Sequence, residues 1–199
     1  MKKVLLKLKF KTILTVVLFL SSLCVQSFAS VHALITPGDK KLVIDISNLY
    51  GDHATCRIVD NSGFVVFSEK ITESNMIIKK YDLSKLDLGY YVLTLEDDMS
   101  IETIKFELTE GEINYSDRTR TVYKPTIIEK SENLYYLNQL ALNKEVKLEV
   151  SKNGEYYFSE TYINQPTISK KIDLTRAEKG EYLIKVSILG ETFYNTVSI

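Results

Sequence analysis

Apolar and polar residues alternate over short segments of this chain, and turn-forming residues separate the segments. In residues 181–188, EYLIKVSI, four apolar side chains share one face of an extended strand: Tyr182, Ile184, Val186 and Ile188. Other runs rich in β-branched and aromatic residues are LVIDIS, TCRIVD, FVVFSE, MIIKKYDL, YYVLTLE and TIKFEL. Asn-Ser-Gly at 61–63 and Asn-Gly at 153–154 are typical of hairpin turns. The pattern predicts an all-β fold.

The chain also matches itself when it is shifted by 91 residues. GFVVFSE at 63–69 aligns with GEYYFSE at 154–160, and IIKKYDLS at 77–84 aligns with ISKKIDLT at 168–175. No gap is needed from Gly63 to Leu108, and the same shift places KLVIDISNL on ENLYYLNQL. A first strand from HALIT or TVYKPTIIEK brings each copy to seven strands. We therefore predict two tandem Greek-key β-sandwiches of immunoglobulin-like type.

The first residues have the three parts of a secretory signal peptide. A basic start with five lysines precedes the apolar run ILTVVLFLSSLCV, and Ser27 and Ala29 supply the small residues of a cleavage site. Cleavage after Ala33 is the alternative, and lipid attachment at Cys24 is a further one that the large Leu23 disfavours. The expected organisation is a signal peptide over 1–29, domain 1 over 30–109, a polar linker over 110–121 and domain 2 over 122–199.

Charge and hydropathy then limit the partners of the processed chain. Residues 30–199 carry 20 basic and 26 acidic groups, and no basic stripe interrupts this negative surface. Such a surface repels phosphate backbones, so we expect no nucleic-acid partner. No second apolar run approaches the length of a membrane span, so we expect no span in the mature chain. The expected location is secreted or periplasmic, with the cell surface as a further destination.

The most distinctive repeated stretch is DLSKLDLGYYV at 82–92, which returns as DLTRAEKGEYL at 173–183. Each residue kept in both copies has a structural use. The aspartate accepts backbone N–H bonds in a turn, the leucine plugs the core, and the glycine permits an unusual backbone conformation. The tyrosine two positions later suits a tyrosine corner. The predicted structural residues are Asp82, Leu83, Gly89 and Tyr91, with Asp173, Leu174, Gly180 and Tyr182 in the second copy.

Residue types that carry catalysis or metal binding are sparse. Cys56 is the one cysteine after the predicted cleavage site, and only His32 and His53 are available to activate it. Asp82 and Asp173 belong to separate copies, and neither motif contains a histidine to pair with its aspartate. The acidic EDDM at 96–99 lacks the spacing of a calcium loop. DRTR at 117–120 is interpreted as a charged linker. We expect no enzyme activity, no cofactor and no metal.

Tyrosine is abundant, with 13 residues, and tryptophan is absent. Adjacent tyrosines on a strand should point one inward and one outward. Outward tyrosines of the second copy would then form an aromatic platform for sugar. The candidate ligand contacts are Tyr136, Tyr157 and Tyr162.

The pattern G-x-x-x-F followed by D-L-S-x-L-x-x-G-x-Y resembles two related groups. One is the C-terminal sorting domain of type IX (Por) secretion cargo, and the other is a set of small secreted proteins with immunoglobulin-like sandwich repeats. The resemblance covers 42–108 well and 133–199 more loosely, because TRAEKGEY lacks the leucine that Leu86 supplies. It implies a secreted protein built from immunoglobulin-like sandwiches. Since residues for catalysis are sparse, we expect a secreted, non-catalytic binding or structural module that contacts a protein or a cell-envelope component. The alternatives are a carbohydrate-binding module, with a glycan as partner, and a secretion-sorting-like domain.

Overall fold

The structure is a computed structural model that describes residues 32–35, 40–45, 51–72, 78–115 and 119–199, with the backbone alone for 32–35. The predicted signal peptide and Cys24 lie outside the described residues. Residues 31–199 belong to one compact unit. Every regular element of the described residues is a β-strand, as the alternating pattern predicts. No described helix has the length and apolar character that a membrane crossing requires.

The first copy folds as two facing antiparallel sheets. Strands β1 (His32–Ile35), β2 (Lys41–Asp45) and β5 (Ile78–Asp82) form a three-stranded sheet in the order β1-β2-β5. The facing sheet contains β3 (Ala54–Asp60), β4 (Val65–Ile71), β6 (Gly89–Glu96) and β7 (Ser100–Leu108) in the order β4-β3-β6-β7. The chain changes sheet between β2 and β3, between β4 and β5 and between β5 and β6, which is a Greek-key path.

The second copy repeats this topology. Strands β10 (Thr126–Ser131), β11 (Leu134–Leu140) and β14 (Thr167–Asp173) form the sheet β10-β11-β14. Strands β12 (Val146–Lys152), β13 (Glu155–Tyr162), β15 (Glu181–Ile188) and β16 (Glu191–Ser198) form the sheet β13-β12-β15-β16. Seven strands per copy in a three-plus-four sandwich confirm the predicted fold class.

Each sandwich has its own hydrophobic core. Leu42 and Ile44 of one sheet and Ile58 and Leu93 of the other are fully buried in the first cluster. The second cluster has Leu137, Val150 and Ile184 in the places of Ile44, Ile58 and Leu93. Each Å² of apolar surface that is buried stabilises the fold by about 25 cal/mol, so these inward faces are the main stabilising feature of each half. Two independently folding domains stay a prediction that the separate cores support.

The segment predicted as a linker needs a correction. Within 110–121 the chain forms β8 (Ile113–Tyr115) and the start of β9 (Arg120–Tyr123), and both strands pair with β7. Ile113 is buried against the first core, whereas Val122 of β9 belongs to the second core. An edge strand buries few side chains, so its sequence is mostly polar and resembles a linker. This segment therefore completes the sheet of the first sandwich.

The shift between the copies is also not 91 throughout. Leu42 lies opposite Tyr81, and Tyr135 lies opposite Ile172, which is the counterpart of Tyr81 at an offset of 91. Leu42 and Tyr135 therefore correspond, and the offset between β2 and β11 is 93. By the same reasoning Cys56 corresponds to Leu148, an offset of 92. The ungapped upstream alignment is therefore wrong. The offset returns to 91 after residue 63, because the first hairpin has the longer loop.

Candidate functional site

The repeated aspartates form the same turn in both copies. The Asp82 carboxylate accepts the Ser84 N–H at 3.0 Å, and Asp173 accepts the Thr175 N–H at 3.2 Å and its hydroxyl at 2.6 Å. The bond from the backbone N–H of Ser84 lowers the pKa of Asp82. The Thr175 hydroxyl and then Lys171 lower the pKa of Asp173 to about 2. Both carboxylates are therefore bound to their own turns.

The leucine and the tyrosine of the motif complete the corner. Leu83 and Leu174 are buried, and their N–H groups bond to the carbonyls of Lys40 and Asn133 at 2.8 and 2.9 Å. The Tyr91 hydroxyl donates to the Asp87 carbonyl at 2.7 Å. The Tyr182 hydroxyl donates to the Glu178 carbonyl at 3.0 Å. Each buried phenol thus reaches four residues back, which is the tyrosine-corner geometry.

Glycine is required where the corner enters the next strand. Gly89 has a φ of 148° and Gly180 a φ of 142°, a region that side chains rarely enter. Gly180 has a second constraint, because a Cβ there would lie 3.0 Å from the Cε of Lys152. The Lys152 side chain crosses the corner of the second sandwich at this point.

The two corners differ at one partly buried position. Leu86 packs against the first core, and its counterpart in the second sandwich is Ala177. Both lie in the same turn, since Leu86 donates its N–H to the Leu83 carbonyl and Ala177 to that of Leu174, each at 3.0 Å. The exchange of leucine for alanine removes most of a side chain and leaves space beside Tyr182.

A β-bulge brings two tyrosines to this space. Val150 pairs with Phe158 and Ser151 with Tyr156, so Tyr157 has no opposite residue. The first copy has the same bulge at Val66, which packs against the core. A bulge interrupts the alternation of side chains between the two faces. Tyr156 and Tyr157 are consequently both exposed, at 68% and 54%, which corrects the expectation of one inward and one outward tyrosine.

The result is an open groove of about 550 Å³, here called the tyrosine groove. Its floor is Tyr182, whose ring meets that of Tyr157 edge to face at a centroid distance of 5.6 Å. This contact orients the Tyr157 ring. The groove is lined by Lys152, Asn153, Glu155, Tyr156, Tyr157, Arg176, Ala177, Glu178 and Tyr182.

The charges around the tyrosine groove are balanced, with two cations and two carboxylates. The Lys152 ammonium donates to the Lys179 carbonyl at 2.9 Å, pairs with Glu178 at 3.2 Å and lies 5.5 Å from the Tyr182 ring centroid. The Tyr156 hydroxyl lies near Glu149, a carboxylate that is only 3% exposed. Bonds from Lys147 and Lys185 lower the pKa of Glu149 to about 2. Glu149 thus stays ionised beside the groove.

The predicted tyrosine platform is not assembled. Tyr136 lies on β11 of the three-stranded sheet, whereas Tyr157 and Tyr162 lie on β13 of the other sheet. Tyr162 packs against the second core, and its hydroxyl donates to Glu160 at 2.8 Å. Of the three candidates, Tyr157 lines the tyrosine groove. Tyr156, Lys152 and Arg176 were not among the predicted ligand contacts, although the alanine in TRAEKGEY was a visible signal.

The cysteine lies inside the first core. Cys56 is fully buried, and burial raises the pKa of its thiol to about 12. A thiol in this state is a poor nucleophile.

The charged segments EDDM and DRTR each contain a residue that bonds within the fold. Asp97 of EDDM accepts the N–H groups of Met99 and Ser100 at 2.8 and 2.7 Å, which closes the β6–β7 hairpin. Arg120 of DRTR donates to the Leu189 carbonyl at 2.8 Å and to Glu191 at 2.6 Å. No metal-binding group of three or more His, Cys, Asp or Glu side chains occurs in the described part of the chain.

A repeated ion pair closes the edge of each sandwich. Lys79 pairs with Glu69 in the first copy, and Lys170 pairs with Glu160 at 2.5 Å in the second. Both pairs join an edge strand of one sheet to an edge strand of the other. The glutamate and the lysine are the same in both copies at an offset of 91, and this repetition in the sequence indicates a structural role.

The fold defines a tandem immunoglobulin-like sandwich, and the tyrosine groove adds one candidate binding site to its second half. Residues 36–108 match the family model described as the secretion system C-terminal sorting domain. The resemblance carried by the repeated motif is thereby confirmed for the first sandwich. The match supports an extracellular or secreted module. No curated protein matches the chain.

Similar solved structures include other tandem modules. A two-domain fibronectin type III segment of chicken tenascin is 11% identical, with 85% of this chain and 98% of that chain covered and a TM-score of 0.30. The FN1–FN3 domains of chicken CNTN1 are 10% identical, with coverages of 84% and 65% and a TM-score of 0.27. A biofilm-associated protein BSP domain is 13% identical, with coverages of 83% and 29% and a TM-score of 0.26.

Proposed function

We propose that this protein is an exported, non-catalytic binding module that attaches to a cell-envelope or extracellular partner through the tyrosine groove. The first sandwich serves as its scaffold. Export is supported by the signal-peptide pattern and by the similarity of 36–108 to a sorting-domain family. The location of that partner determines whether the protein resides in the periplasm or at the cell surface.

The observation that carries the proposal is a difference between two copies of one fold. Where the first copy has Leu86, Val65 and Val66, the second has Ala177, Tyr156 and Tyr157. The exchanges occur together around one groove and expose aromatic surface, which costs free energy in an unbound protein. Exposed aromatic side chains are enriched where proteins bind partners.

The absence of catalysis is part of the proposal. Cys56 is buried with a raised pKa, and the two repeated aspartates are bound by their own turns. General acid–base chemistry needs groups that reach a substrate and titrate near the working pH.

A direct test replaces the two tyrosines by the residues of the first copy. The double variant Tyr156→Val/Tyr157→Val should fold normally and lose binding to envelope fractions of the producing cells. The matched control is Tyr136→Val, which alters a tyrosine on the other sheet and should bind like wild type. Envelope binding by the double variant at wild-type strength would refute the role of the groove.

The family match favours a second candidate function, a sorting role in secretion. A reporter protein fused ahead of residue 30 tests it. Surface display of the reporter that depends on 30–199 would support sorting. Retention of the reporter inside the cell, with groove-dependent envelope binding intact, would support the binding role alone.

A further inference from the structure

The tyrosine groove also carries information about its ligand. Its surface is not a continuous apolar stripe, because four charged side chains line it together with three aromatic rings. That composition disfavours a lipid chain or the apolar face of an amphipathic helix, which need an unbroken hydrophobic groove. A volume of about 550 Å³ suits a small molecule or a short stretch of polymer.

The aromatic part of the groove suits a sugar ring. Pyranose rings carry C–H groups on one face, and these pack against the electron-rich face of an aromatic ring. The edge-to-face contact with Tyr182 orients the Tyr157 ring before binding. A pre-oriented ring loses little conformational entropy when the ligand arrives.

The polar part suits hydroxyl groups without net charge. Hydroxyls both donate and accept hydrogen bonds, and the groove offers cations as donors and carboxylates as acceptors. Arg176 and Glu155 supply one of each, while Lys152 is already bound to the Lys179 carbonyl. The equal number of positive and negative side chains gives a charged ligand no net attraction.

An extended peptide is the competing ligand, and the backbone disfavours it. β13 is an edge strand, so a peptide strand could add to it. The bulge at Tyr157 interrupts the row of backbone groups beside the groove. Strand addition depends on a regular row of N–H and C=O groups.

We propose that the tyrosine groove binds a neutral glycan, with one sugar ring packed on Tyr157 and its hydroxyls bonded to Arg176 and Glu155. This inference rests on the proposed function, because it names the ligand class of the same groove.

The experiment compares the binding of the mature protein to envelope fractions after two treatments. Periodate cleaves the vicinal diols of sugars, and protease removes polypeptides. Binding should survive protease, fall after periodate, and be competed by at least one neutral member of a panel of gluco-, manno-, galacto- and xylo-oligosaccharides. Tyr157→Ala should weaken binding to that oligosaccharide by about tenfold or more, a change of about 1.4 kcal/mol.

Several results would overturn the glycan assignment. Binding that protease removes and periodate spares would identify a polypeptide ligand, and failure of every oligosaccharide to compete would exclude the neutral sugars of the panel. In both cases, loss of binding in Tyr156→Val/Tyr157→Val would leave the proposed function intact. Envelope binding that the double variant retains would reject the proposed function itself.

Discussion

At the scale of single residues, the twice-written motif is explained by hydrogen bonds within each corner. Tyr91 and Tyr182 are buried at 6% and 1% exposure, and each hydroxyl finds a backbone carbonyl four residues back. The sequence predicted this role because aspartate, leucine, glycine and tyrosine recur at fixed spacing. It could not predict the groove beside Tyr182, which depends on how Ala177 and a bulge meet in space.

Tyr91→Phe and Tyr182→Phe should each reduce the free energy of unfolding by about 0.5–1.5 kcal/mol, because the ring stays packed and one hydrogen bond is lost. Urea unfolding of the mature protein measures the change. Tyr194→Phe is the control, since that side chain is 65% exposed and should have no effect. Unchanged stability in both corner variants would contradict the structural role of the motif.

Glu149 should make stability depend on acid pH. Its two lysine partners lower its folded pKa to about 2, below the unfolded value of about 4.3. A lowered pKa stabilises the fold above the unfolded pKa, and this stabilisation is lost as pH falls from about 4.3 to about 2. Urea titrations at pH 7, 4 and 2.5 should show a smaller decline for Glu149→Gln than for wild type. The control Glu178→Gln, at a side chain 92% exposed, should decline like wild type. Equal declines for Glu149→Gln and wild type would argue against the role of this carboxylate.

At the scale of elements, local turn chemistry was easier to predict than register. The Asn-Gly turn was visible in the sequence, and Asn153 and Gly154 have φ values of 52° and 82°, as a type I′ hairpin requires. The offset of 93 was not visible, because a shift by two residues keeps apolar side chains on the same face of a strand. The offset of 92 left a sign in the sequence, since an offset of 91 places the charged Arg57 on the apolar Leu148. The bulge at Tyr157 was not predicted either, since a bulge changes the direction in which side chains point and leaves the residue composition of the strand unchanged.

Gly154→Ala should destabilise the second sandwich by about 1 kcal/mol, because a left-handed conformation is unfavourable for a residue with a Cβ. Space is not the cause, since nothing lies within 4 Å of the added atom. Gly111→Ala is the matched control, with equal space and no positive φ. Thermal or urea unfolding gives the comparison, and equal stability of the two variants would contradict this explanation.

At the scale of the whole molecule, the repeat predicted two sandwiches, and the structure gives each its own core. The polar composition of 110–121 predicted a linker, whereas β8 and β9 extend the first sheet. The share of apolar residues in a segment indicates how much of it is buried. An edge strand that buries one side chain is therefore too polar to be distinguished from a loop by its composition. The groove arises at this scale as well, from a difference between copies that share one topology.

Fragments 30–118 and 119–199 should each unfold cooperatively when produced alone, because each retains one complete hydrophobic cluster. The cut separates β9 from β7, so the first fragment loses one edge strand of its sheet and keeps its core. Circular dichroism during urea unfolding would show a single transition for each fragment. Two unfolded fragments would mean that the halves stabilise one another and that the predicted domain division is wrong.

The central claim is that the shared features of the two copies build the scaffold and that their differences build the binding site. Envelope binding by Ala177→Leu, measured beside its free energy of unfolding, tests this claim most directly. The added side chain mimics Leu86 and fills the groove, so we predict stability at or above that of wild type together with binding reduced about tenfold or more. Leu86→Ala, the reciprocal change, should lose about 2 kcal/mol of stability and keep full binding. Wild-type binding by a folded Ala177→Leu protein would contradict the claim.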